Sequence, residues 1–308
     1  MLLKENVPNS YIFGKIKKEM ALLTLYSTAV YFAHIYFKFP GVSIPIAIPG
    51  ILGTIISLLL AFRSNQAYDR WWEARTLWGS IVNDSRSFAR QVLSFIDTSY
   101  DEGDKREMKE RLIKRQIAWC YSLSQHLRGQ NGHNSLNGFV SAEEKQAMAS
   151  VNHLPLALME QHAHDLNLLL RINWINEYQQ VALDETLNRF SNAMGGCERI
   201  KNTVFPITYS IYIHHLVLLF VLLLPFGLTE LFGIFQIPLV VATSSSFFLI
   251  EKMAIHLQDP FENKPTDTPT TSISRKIEQD LNQLLKHEFP KEAETVNANS
   301  NNAVFYIL

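Results

Sequence analysis

Four stretches of the chain contain no Asp, Glu, Lys or Arg: residues 20–37, 39–62, 203–229 and 231–250, of 18, 24, 27 and 20 residues. A helix needs about 20 mostly apolar residues to cross the hydrocarbon core of a bilayer. The four stretches therefore predict four transmembrane helices. Within the third, residues 216–225 read LVLLFVLLLP, nearly pure hydrocarbon. A buried helix of a soluble protein usually breaks such a run after about 10–14 residues. No small-residue cleavage site follows the first stretch, so it reads as a span and not as a signal peptide.

Between the second and third stretches, residues 63–202 are polar and helical in pattern. Residues 104–128 place Met108, Leu112, Ile117, Cys120, Leu123 and Leu127 at steps of mostly three to four, one face of a helix. Ser141 followed by Ala-Glu-Glu is a helix start with a capping hydroxyl and an acidic first turn. Residues 176–194 predict a further helix ending at Gly195-Gly196. After the fourth stretch, residues 260–271 hold three prolines and four threonines and interrupt helix, which resumes over 272–287. The tail from Pro290 is polar and reads as loose. Strand alternation is almost absent and no internal repeat is visible. The organisation predicted is an N-terminal segment 1–19, spans one and two in 20–62, a helical region 63–202, spans three and four in 203–250, and a C-terminal segment 251–308.

Bulk composition hides this partition. The 308 residues are 47% hydrophobic and 19% charged with a formal net charge of −1. Those values exclude a disordered chain and a disulfide scaffold, and the missing basic excess argues against nucleic acid as a partner. Local charge sets the topology instead. Lys4, Lys15, Lys17 and Lys18 precede the first span, and Arg63, Arg70 and Arg75 follow the second. Only Lys38 lies between spans one and two, and the connection between three and four holds Glu230 without Lys or Arg. The positive-inside rule puts both termini and the central region in the cytoplasm, with connections near 38–41 and 226–232 outside. Cys120 and Cys197 form no CxxC pair and read as packing thiols.

Candidate chemistry is sparse. His162-Ala-His164-Asp165 is the densest histidine cluster, but residues two apart on a helix point in different directions. It reads as a solvated surface, and no metal site or cofactor is expected. His214-His215 lies inside the third span, where an ionisable group is either functional or hydrogen-bonded between packed helices. No nucleophile elbow or phosphate loop appears, so nothing points to an enzyme. In the second span, Pro45 and Pro49 predict a break with the helix restarting near Gly50. From there Thr54, Leu58 and Phe62 form one stripe about 12 Å long. Such a stripe is either packing surface or, in a symmetric oligomer, the wall of a narrow pore that gates by dewetting. Residues 63–75 then crowd three arginines, two acids, Tyr68, Trp71 and Trp72 together, a composition suited to the membrane face or to local ion pairs such as Asp69 with a neighbouring Arg.

Three blocks carry a resemblance to the bestrophin family, and to its bacterial members in particular. They are FRSNQAYDRWWEARTLWGSIVND (62–84), with Arg70, Trp71, Trp72 and Glu73; GGCERIKNTVFPITYSIYIH (195–214), with Gly195, Gly196, Cys197, Glu198 and Arg199; and HLQDPFENKPTD (256–267), with Asp259, Pro260 and Phe261. The resemblance covers nearly all of the chain. It implies an all-α membrane protein of four transmembrane helices and a helical cytoplasmic region, assembled as a homopentameric channel in the bacterial inner membrane, with the lipid bilayer and monovalent ions as partners. It implies a neck of three side-chain rings, which fall on Thr54, Leu58 and Phe62; Thr54 departs from the family's apolar type. It implies a cytoplasmic aperture at Tyr178, where the family commonly has an aliphatic residue. Animal members hold calcium in an acidic clasp after the DPF-like motif. Here residues 262–267 include Lys264 and lack the acidic run, so no calcium activation is expected. Kinship with bacterial members implies passive cation (sodium) conduction. A chloride-selective channel is the alternative, and a non-conducting scaffold or a membrane enzyme is the alternative of another class.

Overall fold

The computed structural model describes residues 14–37, 44–97, 102–203 and 206–288. They form helices joined by short turns, with no strand among the described residues. The helices are α1 (Lys17–Phe37), α2 (Ala47–Phe95), α3 (Glu102–Leu127), α4 (Ala142–Ala147), α5 (Leu154–Arg171), α6 (Glu177–Asn202), α7 (Ile207–Phe232), α8 (Gln236–Gln258) and α9 (Thr270–Glu288). Among the described residues, one compact unit takes 14–71 and 206–259 and the other takes 72–203 and 260–288.

The first unit holds the apolar helices. Segments Lys17–Phe37, Ala47–Phe95 and Ile207–Gln258 are each long and apolar enough to cross a membrane. The last is two helices. Gly233, at φ 52°, ends α7 in a conformation that a side chain would strain. Beyond it the chain doubles back. Thr229 Oγ1 donates to Gln236 Oε1 at 2.6 Å, the rings of Phe220 and Phe247 meet at 5.1 Å, and His214 Nδ1 lies 3.2 Å from Glu251 Oε1. These pairs descend a hairpin of α7 and α8, so the four expected spans are α1, α2, α7 and α8. The loop between the last two is residues 233–235, not 226–232: Glu230 does not interrupt α7. The other connection expected to face outward, near 38–41, and the tail from Pro290 lie outside the described residues.

The core of this unit is Leu23, Ile56, Leu60, Ile213, Val217, Phe220, Leu224, Val240 and Phe248. Leu22, Ile51, Leu58, Leu218, Leu219 and Leu222 point outward and are exposed in the single chain. Helices apolar on all sides suit a lipid surround, where outward leucines cost nothing.

The second unit is built around α3. Met108, Leu112, Ile117, Cys120, Leu123 and Leu127, the predicted face, are all buried. Trp119 packs on Phe190 at 5.2 Å and Phe88 meets Phe190 edge-on at 6.2 Å. Arg115 is buried as well, and its guanidinium is held by Asp165 at 2.7 Å, by Glu144 and by the Gln161 carbonyl. Ser141 caps α4 by accepting from the Glu144 amide, as its sequence implies.

Three local expectations are corrected. Helix α2 does not restart near Gly50 but begins at Ala47, because Pro49 falls in the first turn, where a missing N–H costs nothing. Helix α6 does not end at Gly195-Gly196 but runs on to Asn202. His162 is not solvated: it is fully buried against Phe88, with ring centroids 5.1 Å apart.

Candidate functional site

Helix α2 presents two faces in the first unit. Ile56, Leu60, Arg63 and Ala67 are buried at helical spacing, whereas Thr54, Leu58 and Phe62 are exposed on another face. Glycines let the inner face close on α7. A Cβ on Gly53 would stand 3.3 Å from the Phe220 ring, and one on Gly227 would stand 3.1 Å from Pro49 Cγ. Small residues of this kind set close helix approach in membranes. The Thr54 hydroxyl donates to the Gly50 carbonyl of its own helix at 3.0 Å. Its proton is thereby committed, which lessens the polarity this residue adds to the stripe.

Behind the stripe lies a charged cluster that the sequence did not reveal. Arg63 follows Phe62 and is buried, with Nη1 4.0 Å from Glu251 Oε1. His214 Nδ1 approaches the same carboxylate at 3.2 Å, bridging α7 to α8 as the hydrogen-bonded reading required. His215 instead engages the Ile211 carbonyl of its own helix at 2.8 Å. Arg70 donates from Nε to the Gln258 carbonyl at 2.9 Å and stands 3.9 Å from Asp259, so its acidic neighbour is Asp259 of the DPF motif and not Asp69. Trp71 is half-buried and Trp72 is exposed.

In the second unit the other motif residues converge. Glu73 accepts from Arg199, and a Cβ on Gly196 would come within 2.9 Å of Leu77 Cδ1. A side chain at Gly196 would thus push the Leu77 methyls aside where α6 meets α2, while Gly195 faces open space. Cys197 is buried, and its thiol is pushed up to about 12 by burial and the nearby Glu198 and Glu73 charges. Phe261 is buried in the core and Pro260 is buried beside it. The acids of residues 262–267 are partly engaged, with Asp267 Oδ1 buried and without a hydrogen-bond partner. Glu262 accepts from Lys201 at 2.9 Å, and Asp267, buried and raised above the usual carboxylate range by that burial, accepts from the Lys264 amide at 3.0 Å.

Tyr178 sits in the first turn of α6. Asn176 and Gln179 form a reciprocal capping box that fixes where the helix begins. The ring is 88% exposed, so within the chain it is not a core aromatic.

One group of ligand-type side chains also comes together. His126, His153 and Glu198 bring their donor atoms within 4.8 Å of one another. Burial and the adjacent His153 hold His126 below the usual histidine range, against the opposing pull of Glu198. His126 and His153 belong to no motif visible in the sequence.

A family model described as bacterial/fungal bestrophin protein matches residues 5–283. A voltage-dependent anion channel-forming protein of Nostoc sp. is 32% identical over 274 residues, covering 89% of this chain and 88% of the relative. One of the same name from Escherichia coli is 31% identical over 273 residues, with the same coverage of 89% and 88%. The crystal structure of a bacterial bestrophin homologue from Klebsiella pneumoniae superposes with a TM-score of 0.82 at 24% identity, covering 88% of this chain and 99% of that one.

Proposed function

The chain belongs to the bacterial and fungal bestrophin family, and from that premise we propose that it is a channel passing anions passively through a membrane. Family membership makes it a channel and not an enzyme. The observation that carries the pore reading is the exposed stripe of Thr54, Leu58 and Phe62, whose helix buries the opposite side. An apolar stripe left uncovered by its own chain supplies one wall of a pore when copies are arranged about an axis. We propose a homopentamer in the bacterial inner membrane, both termini cytoplasmic, with the neck at these residues and a second restriction at Tyr178.

The relatives' names favour anions over the sodium conduction expected from kinship, and chloride replaces sodium as the main reading. No ring of fixed charge falls on the stripe, so sign selection rests on partial dehydration and on side-chain dipoles. Glu262, paired with Lys201 and Lys264, supports the expectation that calcium does not activate the channel. Purified protein in a planar bilayer under asymmetric sodium chloride tests the reading. A reversal potential near that of chloride is expected. One near that of sodium restores the cation reading, and no current under any salt leaves a scaffold.

A further inference from the structure

We propose that His126, His153 and Glu198 form a binding site for a borderline-soft divalent cation, Zn2+ by its ligand chemistry. The three come from separate elements: His126 from the last turn of α3, His153 from the N-cap of α5, and Glu198 from α6. Glu198 Oε1 lies 2.8 Å from His153 Nε2 and 3.7 Å from His126 Nε2, and the two imidazole rings are 4.5 Å apart. Ligands held about 2.0–2.2 Å from a tetrahedral zinc stand roughly 3.3–3.5 Å from each other. The observed separations bracket that value. Two imidazoles and one carboxylate match zinc sites that keep a fourth position for water, whereas calcium asks for six or more oxygens. All three side chains are half-buried, and a cavity of about 240 Å³ lined by Ser122, Asn131, Asn152 and Leu154 opens beside one of them, His126. The set shares no residue with the cluster at His162, His164 and Asp165.

The protonation pattern specifies what loading must change. The Leu156 amide donates to His153 Nδ1 at 3.1 Å, so the imidazole proton is on Nε2 and is donated to Glu198. A cation needs the Nε2 lone pair. On binding, the proton moves to Nδ1 and the Leu156 amide loses its acceptor. Ion binding and the cap of α5 are therefore alternatives, and loading loosens the first turn of that helix while it ties α3, α5 and α6 together.

The test uses full-length protein in detergent, stripped with chelator and titrated with Co2+, then Zn2+. One Co2+ per chain is expected, with a visible band of a four- or five-coordinate nitrogen and oxygen site that Zn2+ displaces. His126→Gln and Glu198→Gln each weaken binding by about tenfold or more, while His164→Gln, on the exposed face of α5, leaves it unchanged. Hydrogen exchange in the first turn of α5 rises on loading of the unmutated protein. No band in the unmutated protein overturns the site, as does a band that survives both substitutions. Unchanged exchange at Leu156 removes His153 from the ligand set and overturns it too. The spectrum and exchange of the unmutated protein decide the matter even where a variant fails to fold.

Discussion

Arg199 pairs with Glu73, two residues that are 126 positions apart in the sequence and belong to different motif blocks. Their side chains are 67% and 43% exposed, so the charge contact itself contributes about 0–1 kcal/mol. The stricter relation lies beside it, where Leu77 occupies the space a side chain on Gly196 would need.

Gly196→Ala is expected to destabilise the protein by no more than about 1 kcal/mol, the low end of overpacking, because the atoms it meets are the mobile methyls of Leu77. Leu77→Ala in the same chain should recover part of that loss by vacating the space. Thermal unfolding of the two single variants and the double variant checks this; strictly additive losses would show that the contact is not the cause.

Phe62→Ala is expected to raise ion flux, and Leu58→Ala to do so as well. Truncation widens a ring and relieves the dewetting of a narrow apolar passage. Both side chains are more than half exposed in the chain, so folding should survive. Liposome flux with matched size-exclusion profiles is the measurement, and unchanged flux in both variants would move the neck away from α2.

Tyr178→Ala is expected to leave stability within about 0.5 kcal/mol, as for other exposed positions, and to change conductance or the cation/anion permeability ratio. Single-channel recording under asymmetric salt reads the second effect. A stable variant with unaltered conductance and selectivity would remove the aperture from this position.

His162 gives a pH dependence of defined sign. It is fully buried, neither ring nitrogen has a hydrogen-bond partner, and burial together with the Arg115 charge holds it well below the usual histidine range. The unfolded chain takes up this proton near pH 6.5, the folded one only at lower pH. Its contribution is therefore intact above pH 6.5 and is lost as pH falls, by up to about 1.4 kcal/mol per pH unit. Urea unfolding at a series of pH values should show that slope shrink by about one proton in His162→Phe. An unchanged slope would mean that another group carries the acid sensitivity.

Much of this was legible because it is local. The buried positions of α3, the Ser141 cap and the stripe of Thr54, Leu58 and Phe62 follow from periodicity and short-range hydrogen bonding. Misreadings arose where packing overrode a local rule. Gly195-Gly196 looked like a helix end, yet Leu77 fills the space over Gly196 and α6 continues. His162 looked like surface beside His164 and Asp165, although Leu158, Leu166 and Leu169 share its buried face, and that period was available to be read. The meeting of His126 with His153 and Glu198, 27 and then 45 residues further on, leaves no trace in any short window. The pairing of Arg63 with Glu251 likewise needs the fold.

Helix α6 joins the seat of Leu77 over Gly196 to Tyr178 without a break. From Gly196 to Tyr178 the helix runs 18 residues, about 27 Å at 1.5 Å per residue. Between them Leu183, Thr186, Leu187, Phe190, Ala193 and Met194 are buried, so α6 is held along its length and ends at an exposed tyrosine. A tilt of about 5° at Gly196 swings the far end by roughly 2 Å over that arm. A change of packing at Leu77 that tilted the whole helix would therefore be read at the tyrosine ring, with the backbone hydrogen bonds of α6 intact.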